Sequence, residues 1–435
     1  MNGETEEELA ASLFQYRNGE LYCEDVPLRR IALSAGTPAY VYSVNGVLAN
    51  FRQFQQAFDS KDALVCYALK ANANLELVGR LAAEGCGADI VSGGELVLAL
   101  KAGVPAGRVV FAGVGKRNWE IRLALEAGIL ALNVESLEEL KTIAAIAERA
   151  AVRAPVSLRL NPDVDIHGHP YLTTGRRVDK FGIGLDQIEE AVRFIDRTRA
   201  LELVGLHCHL GSQIQEPEPY FTAAEIVAGV ARRIGGRRLQ HVDIGGGIGV
   251  KYEVALAEEG DCFAFDPAEL AQGVRARLQD VAEKILLEPG RAIVANAGAL
   301  ICRVLYTKTV GGRSFVVVDG AMNDFLRPAL YGARHRVLPV DARSGDSEPV
   351  DVVGPVCESG DFFAREVELP RLRRGDLLGV LGVGAYGYVL ASNYNARPRP
   401  PEVLVEGDRF WISRPRESGL WGIDLPADIG GASDE

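Results

Sequence analysis

The chain has 435 residues, 48% of them hydrophobic and 24% charged, which is the composition of a soluble globular protein large enough for two domains. A small disulfide-stapled scaffold and a disordered chain are therefore excluded. Acidic residues (59) exceed basic residues (47) by 12, and this negative charge disfavours binding to nucleic acid.

The N-terminal segment and the cysteines predict a cytoplasmic protein. The segment is acidic and lacks the cationic and apolar regions of a signal peptide, and no later stretch holds the ~18 apolar residues that a membrane span needs. Seven cysteines are an odd number, and they never show the CxxC spacing of a zinc knuckle. We therefore expect reduced thiols and no membrane partner.

Short β-rich runs alternate with amphipathic segments over roughly 225 residues, the pattern of a (β/α)8 barrel. The predicted strands are Ala63–Leu69, Ala88–Ser92, Arg108–Ala112, Ala131–Val134, Val156–Leu160, Leu203–His209, Gln240–Ile244 and Lys284–Leu287. The predicted helices are Leu75–Ala83, Gly94–Ala102, Trp119–Ala127, Leu137–Ala150, Leu185–Thr198, Tyr220–Ile234 and Pro267–Val281.

After about residue 295 the pattern changes to short β runs separated by Gly, Pro, Asp and Asn clusters. These runs are Arg313–Asp319, Pro349–Gly354, Leu377–Val383, Glu402–Val405 and Arg409–Ser413. We predict an α/β architecture in which a TIM barrel (36–295) precedes a mostly antiparallel all-β domain (296–435). The seam is expected near Glu288–Ala299, and segment 1–35, with the β-like Gly19–Cys23, is expected to join the β domain.

Polar residues follow most of the predicted barrel strands where each strand ends. Because the C-terminal ends of barrel strands converge on one rim, this distribution predicts an active site there. The residues and motifs concerned are Lys70, Asp89, Ser92, Asn133, Glu135, Arg159, Asn161, GLHCHLGSQ, DIGGGIG and LLEPGR.

Lys70 ends the first predicted strand in YALKAN. An ammonium group at the mouth of a barrel needs a partner, since a buried unpaired charge is costly. One interpretation is a rim lysine paired with Asp89. The other is a Schiff-base lysine, which requires a partly desolvated amine beside an electrophilic carbonyl.

Three glycines, Gly245–Gly247, follow the seventh strand, and Gly290 and Arg291 follow the eighth. This is the usual position of a phosphate site in such barrels, because backbone N–H groups can approach an anion closely there. Glu288, at the end of strand eight, suits the ring nitrogen of a pyridine cofactor. An ion pair with Arg291 is the alternative role for Glu288.

His207 and His209 lie two residues apart on a strand, so their side chains project from the same face. A metal site is one interpretation, but no other histidine supplies a convincing further ligand. In the other interpretation, one imidazole stacks on an aromatic cofactor and the second makes its hydrogen bonds within the protein core. Together with the lysine, the glycines and Glu288, this points to pyridoxal 5′-phosphate and to no metal.

Nine motifs spread from about Leu28 to Pro401 resemble those of the diaminopimelate decarboxylases, which are alanine-racemase-like (fold-type III) pyridoxal-phosphate enzymes. The resemblance implies a barrel, a C-terminal β domain and a homodimer with shared active sites. The implied activity is decarboxylation of meso-2,6-diaminopimelate to L-lysine and CO2, the last step of lysine biosynthesis. The motifs are YALKAN, DIVSGGEL, NPDVDIHGHPYLTTG, DKFGIG, GLHCHLGSQI, DIGGGIGV, EPGRAIVANAG, GPVCESGD and SNYNARPRP.

Carried over residue by residue, the resemblance implies catalytic roles for Lys70 as the Schiff-base lysine, His209 as the stacking residue and Cys357 as a proton donor from the partner subunit. Without the resemblance, Cys357 would be taken for a small buried hydrophobe. The implied cofactor-binding residues are Lys70, Asp89, His209, Ser212, Gly245, Gly246, Gly247, Glu288, Gly290, Arg291 and Tyr386. The implied substrate-binding residues are Arg291, Arg327, Tyr331, Glu358 and Tyr386.

Four alternative functions share parts of this machinery. An ornithine or arginine decarboxylase would bind a distal cation, whereas Arg291 and Arg327 favour a substrate with a second carboxylate. A racemase would place an acid and a base on opposite cofactor faces. A decarboxylase acting on a carrier-tethered amino acid would show the same motifs, and an inactive partner-binding relative would not need Lys70 and Cys357.

Overall fold

The computed structural model describes residues 13–58, 61–164, 180–234, 238–252, 262–342 and 346–424. The chain divides into two compact units. We call Phe51–Val250 with Phe263–Ala292 the barrel unit, and Met1–Asn50 with Lys251–Cys262 and Ile293–Glu435 the β unit.

The described part of the β unit begins with a small antiparallel sheet of three strands, β1 (Phe14–Arg17), β2 (Glu20–Cys23) and β3 (Val26–Pro27). Helix α1 (Leu28–Ala35) follows, and then strand β4 (Ala39–Ser43), in which all five residues are buried. Helix α2 (Val44–Ala57) continues the chain into the barrel unit.

The barrel unit contains a closed ring of eight parallel strands. Strand β12 pairs with β5, Ile285 opposite Ala63, and this pairing closes the ring. Buried apolar side chains from five strands pack together, as expected for a parallel barrel that is covered on both faces. The strands are β5 (Ala63–Ala68), β6 (Gly87–Ile90), β7 (Val109–Phe111), β8 (Ala131–Val134), β9 (Ala154–Leu160), β10 (Leu201–Cys208), β11 (Leu239–Asp243) and β12 (Ala282–Leu287).

Seven helices connect these strands within the described residues, which confirms the predicted (β/α)8 barrel. Asn74, Ser92 and Ser136 each follow a barrel strand and accept a hydrogen bond from a backbone N–H in the first turn of the next helix. These caps fix the helix starts at the carboxyl ends of the strands. The helices are α3 (Leu75–Ala83), α4 (Gly93–Lys101), α5 (Asn118–Ala127), α6 (Leu137–Ala150), α7 (Ile188–Arg197), α8 (Glu218–Arg233) and α9 (Pro267–Leu278).

The rest of the β unit forms a mostly antiparallel sheet in the order β17-β16-β14-β13-β4-β19-β20, with β18 paired to β13 and β15 paired to β18. Two pairs, β14 with β16 and β4 with β19, are parallel. Helix α10 (Arg291–Val294) spans the boundary between the two units in the sequence. The elements that follow, in chain order, are β13 (Gly298–Val310), β14 (Arg313–Val318), α11 (Arg327–Tyr331), β15 (Val337–Pro339), β16 (Ser347–Val353), β17 (Phe362–Pro370), β18 (Leu377–Leu381), β19 (Glu402–Glu406), β20 (Arg409–Arg414), β21 (Gly419–Leu420) and β22 (Ile423–Asp424).

The predicted fold class is confirmed, but several strands differ from the sequence analysis, among them β4, β13 and β17, and of these β13 and β17 were not predicted as strands. Strand β4 lies inside the range predicted for the barrel, 36–295, but it pairs with β13 and β19 in the β unit. A run buried on both faces shows no period that would indicate which sheet it joins. The 13-residue β13 begins within the predicted seam. Of segment 1–35, residues 13–35 lie in the β unit, and residues 1–12 are outside the described residues.

All seven cysteines are free thiols; five are buried with Cys262 half-buried and Cys357 exposed, a pattern compatible with the predicted reduced state. Within the described ranges, no helix combines the length and the apolar character required to cross a bilayer.

Candidate active site

Lys70 and Asp89 form an ion pair at the carboxyl ends of the first two barrel strands. Lys70 lies in a short 3-10 turn directly after β5, and its Nζ is 2.7 Å from Oδ2 of Asp89. The carboxyl is fully buried, whereas 31% of the lysine side chain stays exposed. Burial and the charge of Glu288 raise the pKa of Asp89 to about 7, although Lys70 opposes them. The structure thus forms the predicted Lys70–Asp89 pair and leaves part of the lysine side chain exposed.

Glu288 is a buried carboxylate next to two imidazoles. It follows β12, and its Oε2 lies 3.4 Å from Nε2 of His207 and 3.9 Å from Nδ1 of His209. Asp243, the last residue of β11, accepts a 2.8 Å hydrogen bond from the backbone N–H of Gly245. One side-chain atom each of His207, Asp243 and Glu288 lie within 4.8 Å of one another.

The two carboxyl groups of this cluster have pKa shifts of opposite direction. Oδ2 of Asp243 and Oε1 of Glu288 are both buried. Burial and the charge of Glu288 raise the pKa of Asp243 well above its ordinary value. Burial acts in the same direction on Glu288, but His207, Lys70 and His209 outweigh it and lower the pKa of Glu288. The surroundings therefore favour the protonated form of Asp243 and the carboxylate form of Glu288.

His209 follows β10 and is neutral at ordinary pH. Burial, together with the positive charges of Lys70 and Arg159, lowers the pKa of its imidazole well below the ordinary value. Its Nδ1 accepts a 3.1 Å hydrogen bond from the backbone N–H of Gly246. This bond holds the ring in one orientation, as stacking on a planar ligand requires.

The three glycines after β11 form a backbone cradle that no side chain could enter. Gly245 and Gly247 have left-handed φ angles of 71° and 95°. A Cβ on Gly246 would lie 1.9 Å from the carbonyl oxygen of Glu288, and one on Gly247 would lie 2.0 Å from that of Gly211. Gly246 and Gly247 therefore pack directly against neighbouring backbone, and only glycine fits at these two positions.

The turn after β12 completes the site on the side of Lys70. The buried Arg291 donates a 2.8 Å hydrogen bond from Nη2 to the hydroxyl of Ser212. A Cβ on Gly290 would lie within 2.9 Å of the side chain of Ala71 and 3.0 Å of that of Ala68. The predicted residues of the barrel unit are thus assembled around the carboxyl ends of β5, β6 and β10 to β12.

The other five predicted site residues belong to the β unit. Arg327 and Tyr331 are the first and last residues of α11, and the guanidinium group of Arg327 is buried. Cys357 and Glu358 follow β16, and Cys357 is exposed. Glu358 accepts a 2.6 Å hydrogen bond from the hydroxyl of Tyr394. Tyr386 adopts a left-handed φ of 55° in the loop after β18.

The sequence analysis gave no role to two buried carboxyl groups of this rim. Asp243 begins the DIGGGIG motif, and its position at the end of a barrel strand could have indicated a role in the site. Glu135 accepts hydrogen bonds from Arg159 (2.6 Å) and from the backbone of Gly182 (2.8 Å). Burial opposes ionisation of Glu135, but Arg159 and these bonds outweigh it and lower its pKa.

Parts of two motifs that carry the resemblance lie outside the described residues, and in DKFGIG only Asp179 is affected. In NPDVDIHGHPYLTTG, the residues from position 165 onward are affected, and they include His167 and His169.

The site fits the predicted cofactor. It offers a partly exposed lysine side chain, a fixed neutral imidazole, a buried carboxylate and a glycine cradle, the donor set that a phosphorylated pyridine aldehyde requires. Among the described residues, His207, Asp243 and Glu288 are the one group close enough to bind a metal ion. That no metal binds there stays a prediction from the sequence.

Known proteins match the chain over nearly its whole length. The family model described as "Pyridoxal-dependent decarboxylase, pyridoxal binding domain" matches residues 44–295. The diaminopimelate decarboxylase of Aquifex aeolicus is 43% identical and covers 95% of this chain and 97% of its own. That of Pseudomonas aeruginosa is 45% identical and covers 93% and 96%.

A solved structure agrees with the sequence matches. The crystal structure of diaminopimelate decarboxylase from Helicobacter pylori complexed with L-lysine superimposes with a TM-score of 0.84 at 42% identity, covering 90% of this chain and 96% of that one. The family predicted from the motifs is confirmed. The chain therefore belongs to the pyridoxal-dependent decarboxylases and, among them, to the diaminopimelate decarboxylases.

Proposed function

We propose that this chain decarboxylates meso-2,6-diaminopimelate to L-lysine and CO2 with pyridoxal 5′-phosphate as cofactor. The observation that carries the proposal is the similarity to diaminopimelate decarboxylases at 43–45% identity over more than nine tenths of the chain. The composition of the barrel rim supports it, because each group that the cofactor needs is present there.

The barrel unit supplies the residues that would hold the cofactor. The backbone of Gly247, with Ser212 and Arg291, would bind the phosphate, and the anionic Glu288 would pair with the protonated ring nitrogen. His209 would stack on the ring, and Lys70 would bind the aldehyde carbon. When bound, the cofactor accepts the electron pair of the breaking carbon–carbon bond into its ring.

Lys70 and Asp89 are proposed to exchange a proton next to the reacting groups. The Asp89 carboxyl, with a pKa of about 7, lies 2.7 Å from Nζ and can exchange a proton with the amine at neutral pH. A neutral amine is the form that attacks a carbonyl carbon, whereas an ionised Asp89 stabilises the ammonium form of Lys70. The proposed role of Asp89 is therefore to hold Lys70 in the cofactor site and to exchange a proton with its amine.

The β unit supplies the proposed substrate-binding groups. Arg327 would bind the substrate carboxylate that is not lost, because a guanidinium group binds a carboxylate through two parallel hydrogen bonds. This subsite would be completed by Tyr331, Tyr386 and Glu358. The hydroxyl of Tyr394 donates a hydrogen bond to Glu358 and so orients it. Arg291, on the barrel rim, is the second arginine proposed to contact the substrate.

Cys357 is proposed to protonate the product carbon, and to act in the active site of a second copy of the chain. Its thiol is exposed, as a group that acts across a subunit interface must be in one isolated copy. A homodimer with shared sites is therefore part of the proposal. The cytoplasmic location stays a prediction from the sequence.

Product analysis tests the activity. Purified protein incubated with meso-diaminopimelate and pyridoxal phosphate should release CO2 and L-lysine in equal amounts, and Lys70→Ala should release neither. Borohydride treatment of the wild-type enzyme should leave a pyridoxyl group on Lys70 and on none of the surface lysines. Comparable efficiency on ornithine or arginine, or a label at Lys101 or Lys180, would contradict the proposal.

Complementation tests the shared site. Inactive Lys70→Ala and Cys357→Ala chains, mixed under conditions in which subunits exchange, should recover part of the activity in hybrid dimers. Demonstrated exchange without any recovery would place both residues in the active site of one chain.

A further inference from the structure

Arg327 is a buried arginine whose guanidinium group is fixed by contacts within the β unit. It is 4% exposed, and its Nη1 lies 2.8 Å from Nε2 of His335. The guanidinium carbon lies over the ring of Tyr252, 4.5 Å from its centroid. An arginine side chain on a protein surface samples many rotamers, whereas this one has lost that freedom before any ligand binds.

The hydrogen bonds of His335 determine its tautomer. Nδ1 lies 3.0 Å from the backbone carbonyl oxygen of Leu381, which can only accept, so Nδ1 carries the hydrogen. The guanidinium group of Arg327 can only donate, so Nε2 is the acceptor. Both ring nitrogens are therefore used, and the imidazole is neutral in this arrangement.

Aromatic packing fixes the plane of the same imidazole. The ring of Phe325 meets it edge to face at 4.7 Å, and the ring of Tyr252 does so at 4.9 Å. Gly382 leaves room for this stack, since a Cβ there would lie 2.9 Å from the ring of Tyr252 and 3.5 Å from Nδ1 of His335. Leu381 and Gly382 are consecutive. The same segment of chain therefore accepts the hydrogen bond of the imidazole and leaves room for the aromatic rings.

We propose that His335 is a positioning residue that orients the Arg327 guanidinium group for two-point binding of the substrate carboxylate retained in the product. The inference rests on the proposed function, in which Arg327 binds that carboxylate. Two-point binding requires the guanidinium plane to face the carboxylate at a set angle. Fixing this plane in the unliganded protein removes an ordering cost from substrate binding. His335 would therefore contribute to substrate selectivity without touching substrate or cofactor.

A pair of ligands isolates the carboxylate. L-lysine, the product, keeps the carboxylate in question, whereas cadaverine has the same carbon chain and the same two amines without it. Equilibrium binding of both ligands to the holoenzyme, measured by calorimetry, reports on carboxylate recognition independently of turnover.

Two variants separate the hydrogen bond from the packing. His335→Phe keeps an aromatic ring between Phe325 and Tyr252 but removes the acceptor. His335→Gln keeps an acceptor at the end of the side chain. His335→Phe should weaken L-lysine binding by roughly 10- to 100-fold, as for loss of one hydrogen bond to a charged group, and should change cadaverine binding less than about two-fold. His335→Gln should recover most of the L-lysine affinity.

Steady-state kinetics should show the same separation. The KM for diaminopimelate should rise in His335→Phe much more than kcat falls. Unchanged L-lysine affinity in a folded His335→Phe variant, or an equal loss for both ligands, would overturn the inference. If His335→Phe does not fold, His335→Met takes its place as the variant without a ring acceptor, with the same expected results.

The controls distinguish failure of this inference from failure of the proposed function. If wild-type enzyme neither forms L-lysine nor binds it more tightly than cadaverine, the proposed function fails before any variant is compared. If wild-type enzyme does both and the His335 variants keep its ligand preference, only the role of His335 is refuted. Thermal unfolding and the cofactor absorbance of each variant verify that the fold and the cofactor site are intact.

Discussion

Replacing Asp89 by Asn should stabilise the cofactor-free protein, and more strongly at alkaline than at acidic pH. Burial and the charge of Glu288 raise the carboxyl pKa from 3.8 to about 7. Between these two values the folded chain binds a proton that the unfolded chain has released. The contribution of Asp89 to the free energy of unfolding therefore falls as the pH rises through this interval, and it stays low above pH 7.

The expected size follows from the two pKa values. At pH 8 the whole shift from 3.8 to about 7 opposes folding, which corresponds to about 4 kcal/mol. At pH 5 only the part between 3.8 and 5 does so, which corresponds to roughly 2 kcal/mol. Loss of the ion pair with the partly exposed Lys70 subtracts about 1 kcal/mol or less at pH 8, whereas at pH 5 the protonated carboxyl forms no ion pair. The gain from Asn should hence be about 2 kcal/mol larger at pH 8.

Urea unfolding of the apoprotein measures this difference directly. Wild type and Asp89→Asn are compared at pH 5 and pH 8, and the change in unfolding free energy at one pH is subtracted from that at the other. Asp408→Asn, which removes an exposed carboxylate from a surface turn, serves as the control for a lost surface charge. A gain from Asp89→Asn that is equal at the two pH values, or larger at pH 5, would refute the argument that the buried carboxyl holds its proton to near neutrality.

Three further substitutions test the site. Gly247→Ala should weaken cofactor binding by roughly 10- to 100-fold in absorbance titrations. The φ of 95° and the overlap of the new Cβ with a carbonyl oxygen should cost roughly 1 to 3 kcal/mol. The control variant Gly107→Ala, with open space around its Cβ, should bind the cofactor as wild type does. Asp243→Leu should lower the unfolding free energy by roughly 1 to 3 kcal/mol, since it removes the acceptor of a buried N–H, whereas Asp243→Asn should lower it by about 1 kcal/mol or less. Glu135→Ala should cost roughly 3 to 5 kcal/mol in urea unfolding, because the buried guanidinium group of Arg159 loses its partner, and a cost near zero would mean that Arg159 finds another.

The barrel was predictable because its strands repeat one simple pattern. Parallel strands covered on both faces appear as continuous apolar runs between amphipathic helices, and the predicted strand Ala131–Val134 and helix Leu137–Ala150 match the structure at both ends. Strand β13 was not predicted as a strand, since its first half is buried on both faces and its last five residues are exposed. A strand that changes its environment halfway shows no single period.

The positions of the site residues were predictable for a related reason. Barrel topology brings the strand ends together whatever the sequence between them, so Lys70, Asp89 and Glu288 could be placed on one rim from their order in the chain alone. Which of the rim carboxyls is charged could not be predicted in this way. Asp243 and Glu288 each end a strand, and their opposite pKa shifts arise from their mutual distance and from the imidazole beside one of them.

The orientation of Arg327 depends on a longer chain of contacts of the same kind. His335 lies eight residues after Arg327. Leu381, whose carbonyl accepts from His335, lies 46 residues further along, at the end of β18. Neither spacing belongs to a regular helix or strand period, so no pattern in the sequence indicates that the three meet. The reacting groups of a barrel lie at the ends of its strands, so their positions can be predicted from the topology. The groups that fix its charge or its plane need only be in contact with it, and such contacts are specified by the packed structure.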